Sequence, residues 1–123
     1  MAEQQVFSEH EQDFGGYSNL FWSWGGNNSV VPPKKRLEIT TLTLDYFPKG
    51  TGGTVGRADI SGRDSNGTAV WRLQVVYVEP LKTVHLPFPN ALRLKAGGRV
   101  ELGFVENGPG TIFISANGRL VGV

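Results

Sequence analysis

Two histidines, eleven acids and seven serines are the side chains here that could serve acid–base or nucleophilic chemistry, and they are scattered. His10 and His85 lie far apart, and none of the serines sits in the glycine-flanked pattern of a nucleophile elbow. Glycoside hydrolysis needs two carboxylates facing one cleft. Glu38, Asp45 and Asp59 fall on or near separate predicted strands, and Glu79 and Glu106 at strand ends, as on solvated faces. His85 alternates with strand-inward residues and reads as an exposed strand histidine. Cysteine is absent, which excludes a disulfide framework, a thiolate nucleophile and cysteine-bound zinc.

Three short segments imitate ligand motifs. Glu9-His10-Glu11 with Asp13 could chelate a divalent ion. Asp64-x-Asn66-Gly67 has the start of a calcium loop, but Thr68 and Val75 stand where further oxygen ligands belong, so it reads as a turn. Gly50-Thr51-Gly52-Gly53 lacks the Lys and Ser/Thr of a phosphate loop. The expectation is therefore no catalytic residue, no resident metal and no cofactor.

Binding chemistry has more to work with. In Phe21-Trp22-Ser23-Trp24-Gly25-Gly26-Asn27-Asn28, a strand would aim Trp22 and Trp24 the same way. Aromatic faces beside amides are the parts of a sugar site, so Phe21, Trp22, Trp24, Asn27 and Asn28 are the candidate ligand-binding residues. The same aromatics could instead cover an open end of the core. Six of the thirteen aromatics lie in the first 24 residues. Phe7, Phe14 and Tyr17 among them are candidate interface residues, because an extended segment with unburied apolar groups can lay them on a neighbour.

Charge divides the chain in the same place. Residues 1–33 carry four acids and no Lys or Arg, whereas residues 34–123 carry twelve bases and seven acids, a net of +5. An acidic segment on a mildly basic body favours docking between copies. Lys34-Lys35-Arg36 near the tryptophans raises single-stranded nucleic acid. The acids at 3–13 and the weakly basic body speak against it. The N-terminus has neither the basic nor the apolar region of a secretory signal, and no apolar run reaches membrane-span length, so cytoplasmic synthesis without a membrane partner is expected.

The elements that must position these residues are strands. No window sustains helical spacing, whereas period-two alternation recurs from Leu37 onward. Thr68–Val78 is the clearest strand, with Ala69, Trp71 and Leu73 on one face and Val70, Arg72 and Gln74 on the other. Over Leu37–Phe47 the phase changes: Leu37 and Ile39 set one, Leu42, Leu44 and Tyr46 the opposite one. That demands a bulge or a bend, and a bend at Thr40–Thr41 carrying the strand from one sheet to the other would supply it. Four turn signals predict hairpins: Asp64-Ser65-Asn66-Gly67, Gly97-Gly98, Asn107-Gly108-Pro109-Gly110 and Asn117-Gly118. Pro32-Pro33 enforces an extended lead into the first long strand.

The stretch from Leu92-Arg93-Leu94-Lys95 through Gly97-Gly98-Arg99-Val100-Glu101-Leu102 to Asn117-Gly118-Arg119-Leu120 resembles, in outline, the last strands of trimeric jelly rolls of the complement C1q and tumour-necrosis-factor kind. That resemblance rests on hairpin glycines and alternating aliphatics, and implies architecture alone.

The sequence thus predicts an all-β, antiparallel, jelly-roll-like β-sandwich of one domain over residues 37–123, preceded by an extended aromatic-rich N-terminal arm and linker over residues 1–36. The expected role is a non-catalytic assembly or binding module, homo-oligomeric or docked on a larger virion-like or secretion-type structure through its arm. A carbohydrate-binding, lectin-like module is the alternative, and a hydrolase with an unrecognised site comes third.

Overall fold

The computed structural model describes residues 3–13, 17–19, 23–24, 27–28, 30–48, 56–78, 83–106 and 110–123. Those residues form strands and turns, with no helix among them. The strands are β1 (Glu3–Asp13), β2 (Tyr17–Asn19), β3 (Ser23–Trp24), β4 (Asn27–Asn28), β5 (Lys35–Pro48), β6 (Gly56–Arg63), β7 (Ala69–Val78), β8 (Thr83–Lys95), β9 (Arg99–Glu106) and β10 (Gly110–Gly122).

Two four-stranded antiparallel sheets carry the fold, in the orders β1-β10-β5-β8 and β2-β9-β6-β7, and β3 pairs with β4 apart from them. Alternation builds the core between the sheets. Leu37, Ile39, Leu42, Leu44, Tyr46, Ile112, Ile114 and Leu120 of the first sheet meet Ala58, Ile60, Val100 and Leu102 of the second, all buried in one cluster. Burial of such side chains, at about 25 cal/mol per Å2 of apolar surface, is the main force holding the sheets together.

The phase change in β5 is real, and its cause is a bulge rather than a sheet-switching bend. Ile39 pairs with Gly118 and Thr41 with Asn117, so Thr40 is the extra residue. On the other side, Ile39 pairs with Leu92 and Thr41 with Pro87, so residues 88–91 of β8 bow out opposite it. β5 lies between β10 and β8 on both sides of the bulge. Thr40 Oγ1 donates to the Asn117 carbonyl at 3.2 Å, which holds the bulged residue against β10.

Of the predicted hairpins, the one at Asp64–Gly67 joins neighbours in a sheet, β6 and β7. Asp64 Oδ1 accepts from the Asn66 and Thr68 amides at 2.9 Å each, and Gly67 supplies a φ of +85°. Asp64→Ala removes the acceptor of both hydrogen bonds from the turn and is expected to cost about 1.5 kcal/mol, read as a lowered thermal unfolding midpoint. Asn117-Gly118 is no turn at all, because β10 runs through it. Gly97-Gly98 does turn the chain, but β8 and β9 lie in different sheets, as do β9 and β10. Asn107, Gly108 and Pro109 lie outside the described residues. Taking the strands of the two main sheets in chain order, each lies in the other sheet from the one before except at β6 to β7. The turn chemistry thus marks reversals without saying whether the flanking strands pair.

The N-terminal segment is the other correction. Glu3–Asp13 pairs with β10 along its whole length, from Glu3–Val121 to Asp13–Thr111, and is the edge strand of the first sheet. Val31 is buried in the core and exchanges backbone hydrogen bonds with Gly97 and Gly98 at 2.9 and 2.8 Å. These parts of residues 1–36 are therefore built into the sandwich and do not precede it as an arm.

Candidate functional site

The outer face of the first sheet collects the polar residues that alternate with its core. Thr83 donates its hydroxyl to Asp45, and Thr43 Oγ1 lies 3.0 Å from His85 Nδ1. Asn117 Nδ2 donates to Thr41 Oγ1 at 3.2 Å. These pairs are cross-strand neighbours lying flat on a sheet, where each stabilises the ladder by a fraction of a kcal/mol. His85 is exposed there, as its alternation predicts.

Toward the β5 N-terminus the face becomes a charge cluster. The register puts Glu38 directly between Arg119 of β10 and Arg93 of β8. Glu38 is only 3% exposed, with Arg119 Nε 2.7 Å from Oε1, and Arg36 Nη2 and Arg93 Nε 2.9 and 3.3 Å from Oε2. The Arg119 hydrogen bond, aided by the charges of Arg119 and Arg36, holds the Glu38 carboxyl below its ordinary pKa despite its burial. One carboxylate thus serves three guanidiniums, and Lys95 adds a further cation at the same end of β8. The face is basic at this end, with Glu9 and Asp45 toward the other.

Two hollows flank Arg93. One is an open groove of about 610 Å3 lined by Trp71, the bowed residues Pro89, Asn90 and Ala91, and Leu92, Arg93 and Arg119. The other, of about 380 Å3, lies between the start of β7 and the end of β8 and is lined by Arg36, Asp64, Val70, Arg93, Leu94 and Lys95. Trp71 separates the core from this edge. Its indole lies over Gly62, where an added Cβ would stand 2.2 Å from the ring, and its Nε1 donates to the Arg93 carbonyl at 3.1 Å.

The two outer edges of the first sheet differ. β8 carries Pro87 and Pro89, which lack amide donors, bows out over 88–91, and has the Arg93 carbonyl taken by Trp71. These features guard an edge against strand addition. β1 is eleven residues long with no proline, glycine or lysine, and among the described strands it pairs with β10 alone. Phe7 stands 58% exposed on its outward side.

The sequence-predicted residues fall in several places. Phe7 lies on this open edge. Tyr17 is in β2, opposite Gly103 of β9. Trp24 pairs with Asn27, and Ser23 with Asn28, so β3 and β4 bring three of the candidate ligand-binding positions, Trp24, Asn27 and Asn28, into one short ladder. Phe14, Phe21 and Trp22 lie outside the described residues. Glu9, His10, Glu11 and Asp13 all fall in the second half of β1. The Arg36–Glu38–Arg93–Arg119 cluster and the Val70 pocket were not foreseen. The outward parity of each residue was readable, but their meeting depends on which strands pair.

No protein-family model matches the sequence, and no curated protein matches it. Solved structures do. The chain is similar to a chain of the acid-stable capsid of Helicobacter pylori bacteriophage KHP30, with a TM-score of 0.55 and 11% identity over 99% of this chain and 98% of that one. It is also similar to a chain of the disulfide-linked pili of Bacillus endospore appendages, with a TM-score of 0.48 and 12% identity over 100% and 93% of the two chains. A chain of infectious bursal disease virus strain Gx matches at a TM-score of 0.46 and 13% identity, over 96% of this chain but 32% of that one. The bacteriophage likeness shows a shared all-β antiparallel fold over nearly the full length of both chains.

Proposed function

We propose that the chain is a non-catalytic, jelly-roll-like assembly module. It joins copies of itself, or docks on a larger virion-like or secretion-type particle, through strand β1. The strand orders support the jelly-roll reading, since eight strands in two sheets with repeated crossings between them are its hallmark. The observation that carries the assembly reading is the open edge of β1 with Phe7 exposed on it. Native sheets guard such edges or use them for pairing, and the prolines and outward bow that close β8 are absent from β1. The likeness to a capsid chain over nearly the full length of both chains supports the same reading.

Light-scattering mass as a function of concentration tests it. The intact chain is expected at a multiple of 13.4 kDa, falling to 13.4 kDa in Phe7→Asp. A mass of 13.4 kDa at high micromolar concentration would remove self-assembly and leave docking on a different particle.

A further inference from the structure

Resting on the self-assembly reading, we infer that the pocket between β7 and β8 is the socket for Phe7 of a second copy. Val70 is 54% exposed at this pocket, and the buried Leu94 lines it as well. An apolar cavity of ~150 Å3 already holds a benzene ring. The pocket here, at about 380 Å3, has room for a phenyl group and part of its strand.

Charge selects the occupant. The pocket is rimmed by Arg36, Arg93 and Lys95 with one acid, Asp64. Phe7 is followed at the next outward position by Glu9, and Glu3 lies on the same side two outward positions before it. An aromatic knob flanked by acids complements an apolar socket flanked by bases, which sets register and speeds encounter. The backbone of β8 is closed by prolines and by Trp71, so a partner at this edge must be held by side chains rather than by a ladder.

The geometry excludes an internal contact. β1 and β8 are the two opposite edges of one sheet, so a copy cannot fill its own socket with its own Phe7. The contact is heterologous, knob of one copy into socket of the next, and it propagates as a ring or an open chain.

Complementation in sedimentation velocity tests this. Phe7→Asp keeps the socket and loses the knob, while Val70→Asp keeps the knob and loses the socket. Each variant alone is expected to associate about a hundredfold more weakly than the parent. Their equimolar mixture is expected to form a one-to-one dimer and nothing larger, because a single competent contact remains. A mixture that stays monomeric would overturn the socket, and so would a Phe7-to-Phe7 contact, in which Val70→Asp pairs with itself and Phe7→Asp stays monomeric beside it. Assembly of Val70→Asp at the parent's strength would overturn it too, while the self-assembly reading stood. A parent that sediments as a monomer overturns that reading itself, and the socket with it. Both positions are exposed, and thermal unfolding of each variant checks the fold. Phe7→Ser with Lys95→Glu is the replacement pair should either variant unfold, with the same outcomes expected.

Discussion

Gly118→Ala is expected to cost about 3 kcal/mol and roughly 10 °C of thermal midpoint. Gly118 sits at the bulge, where β10 crosses closest to β5. A Cβ built there would stand 2.5 Å from the Glu38 carbonyl oxygen and 3.3 Å from both the Glu38 carbonyl carbon and Ile39 Cα. Those are backbone atoms of a strand held on both sides, so no side chain can swing aside to make room. Relief requires β10 and β5 to part at Ile39 and Leu120, both buried in the core. The comparison is Gly67→Ala, where the nearest obstacle is the Arg99 guanidinium at 3.7 Å and the cost is the positive φ alone, about 1 kcal/mol. Equal midpoints for the two variants would show that the strands do not approach as closely as the bulge requires.

The same glycine shows why the sequence was legible in parts. Asn117-Gly118 has the composition of a hairpin turn, yet the glycine is there for close approach within a continuous strand. Both uses need a residue without Cβ, and local chemistry cannot separate them. Phase was more informative: the reversal between Ile39 and Leu42 required an irregularity, and the bulge at Thr40 is that irregularity. β7 was readable from alternation alone, because Trp71 and Leu73 face the core while Val70, Arg72 and Gln74 face out. β1 was not. Of its inward positions Gln4, Val6 and Ser8, only Val6 is apolar, since an edge strand shields little of the core. Its polar composition therefore looked like an arm. The charge cluster was hidden for a different reason. Glu38, Arg93 and Arg119 are far apart in sequence, and nothing in any one strand fixes its partner.

That cluster makes the second strong prediction, a stability difference that depends on pH. Glu38→Gln keeps the shape of the side chain and leaves Arg36, Arg93 and Arg119 facing one another without their shared anion. Removing one partner of a fully buried pair costs 3–5 kcal/mol, roughly. Here the guanidiniums reach solvent, Arg93 being 68% exposed, so the cost at neutral pH is expected to be about 2 kcal/mol. Glu38 is held below its ordinary pKa of 4.5 in the folded chain, chiefly by the Arg119 hydrogen bond. A carboxyl with a lowered folded pKa binds its proton more readily when unfolded, so its stabilisation is complete above the unfolded pKa. It is lost as the pH falls below 4.5 and through the folded value. The glutamine has no proton to gain. Urea unfolding of the two proteins should therefore differ most at neutral pH and converge on acidification, and added salt should narrow the neutral-pH gap. A gap that stays constant from neutral to acid pH would mean that Glu38 binds its proton equally well folded and unfolded, so that the arginines do not favour its charged form. The three arginines would then be held in place by packing of their alkyl stems rather than by the anion at their centre.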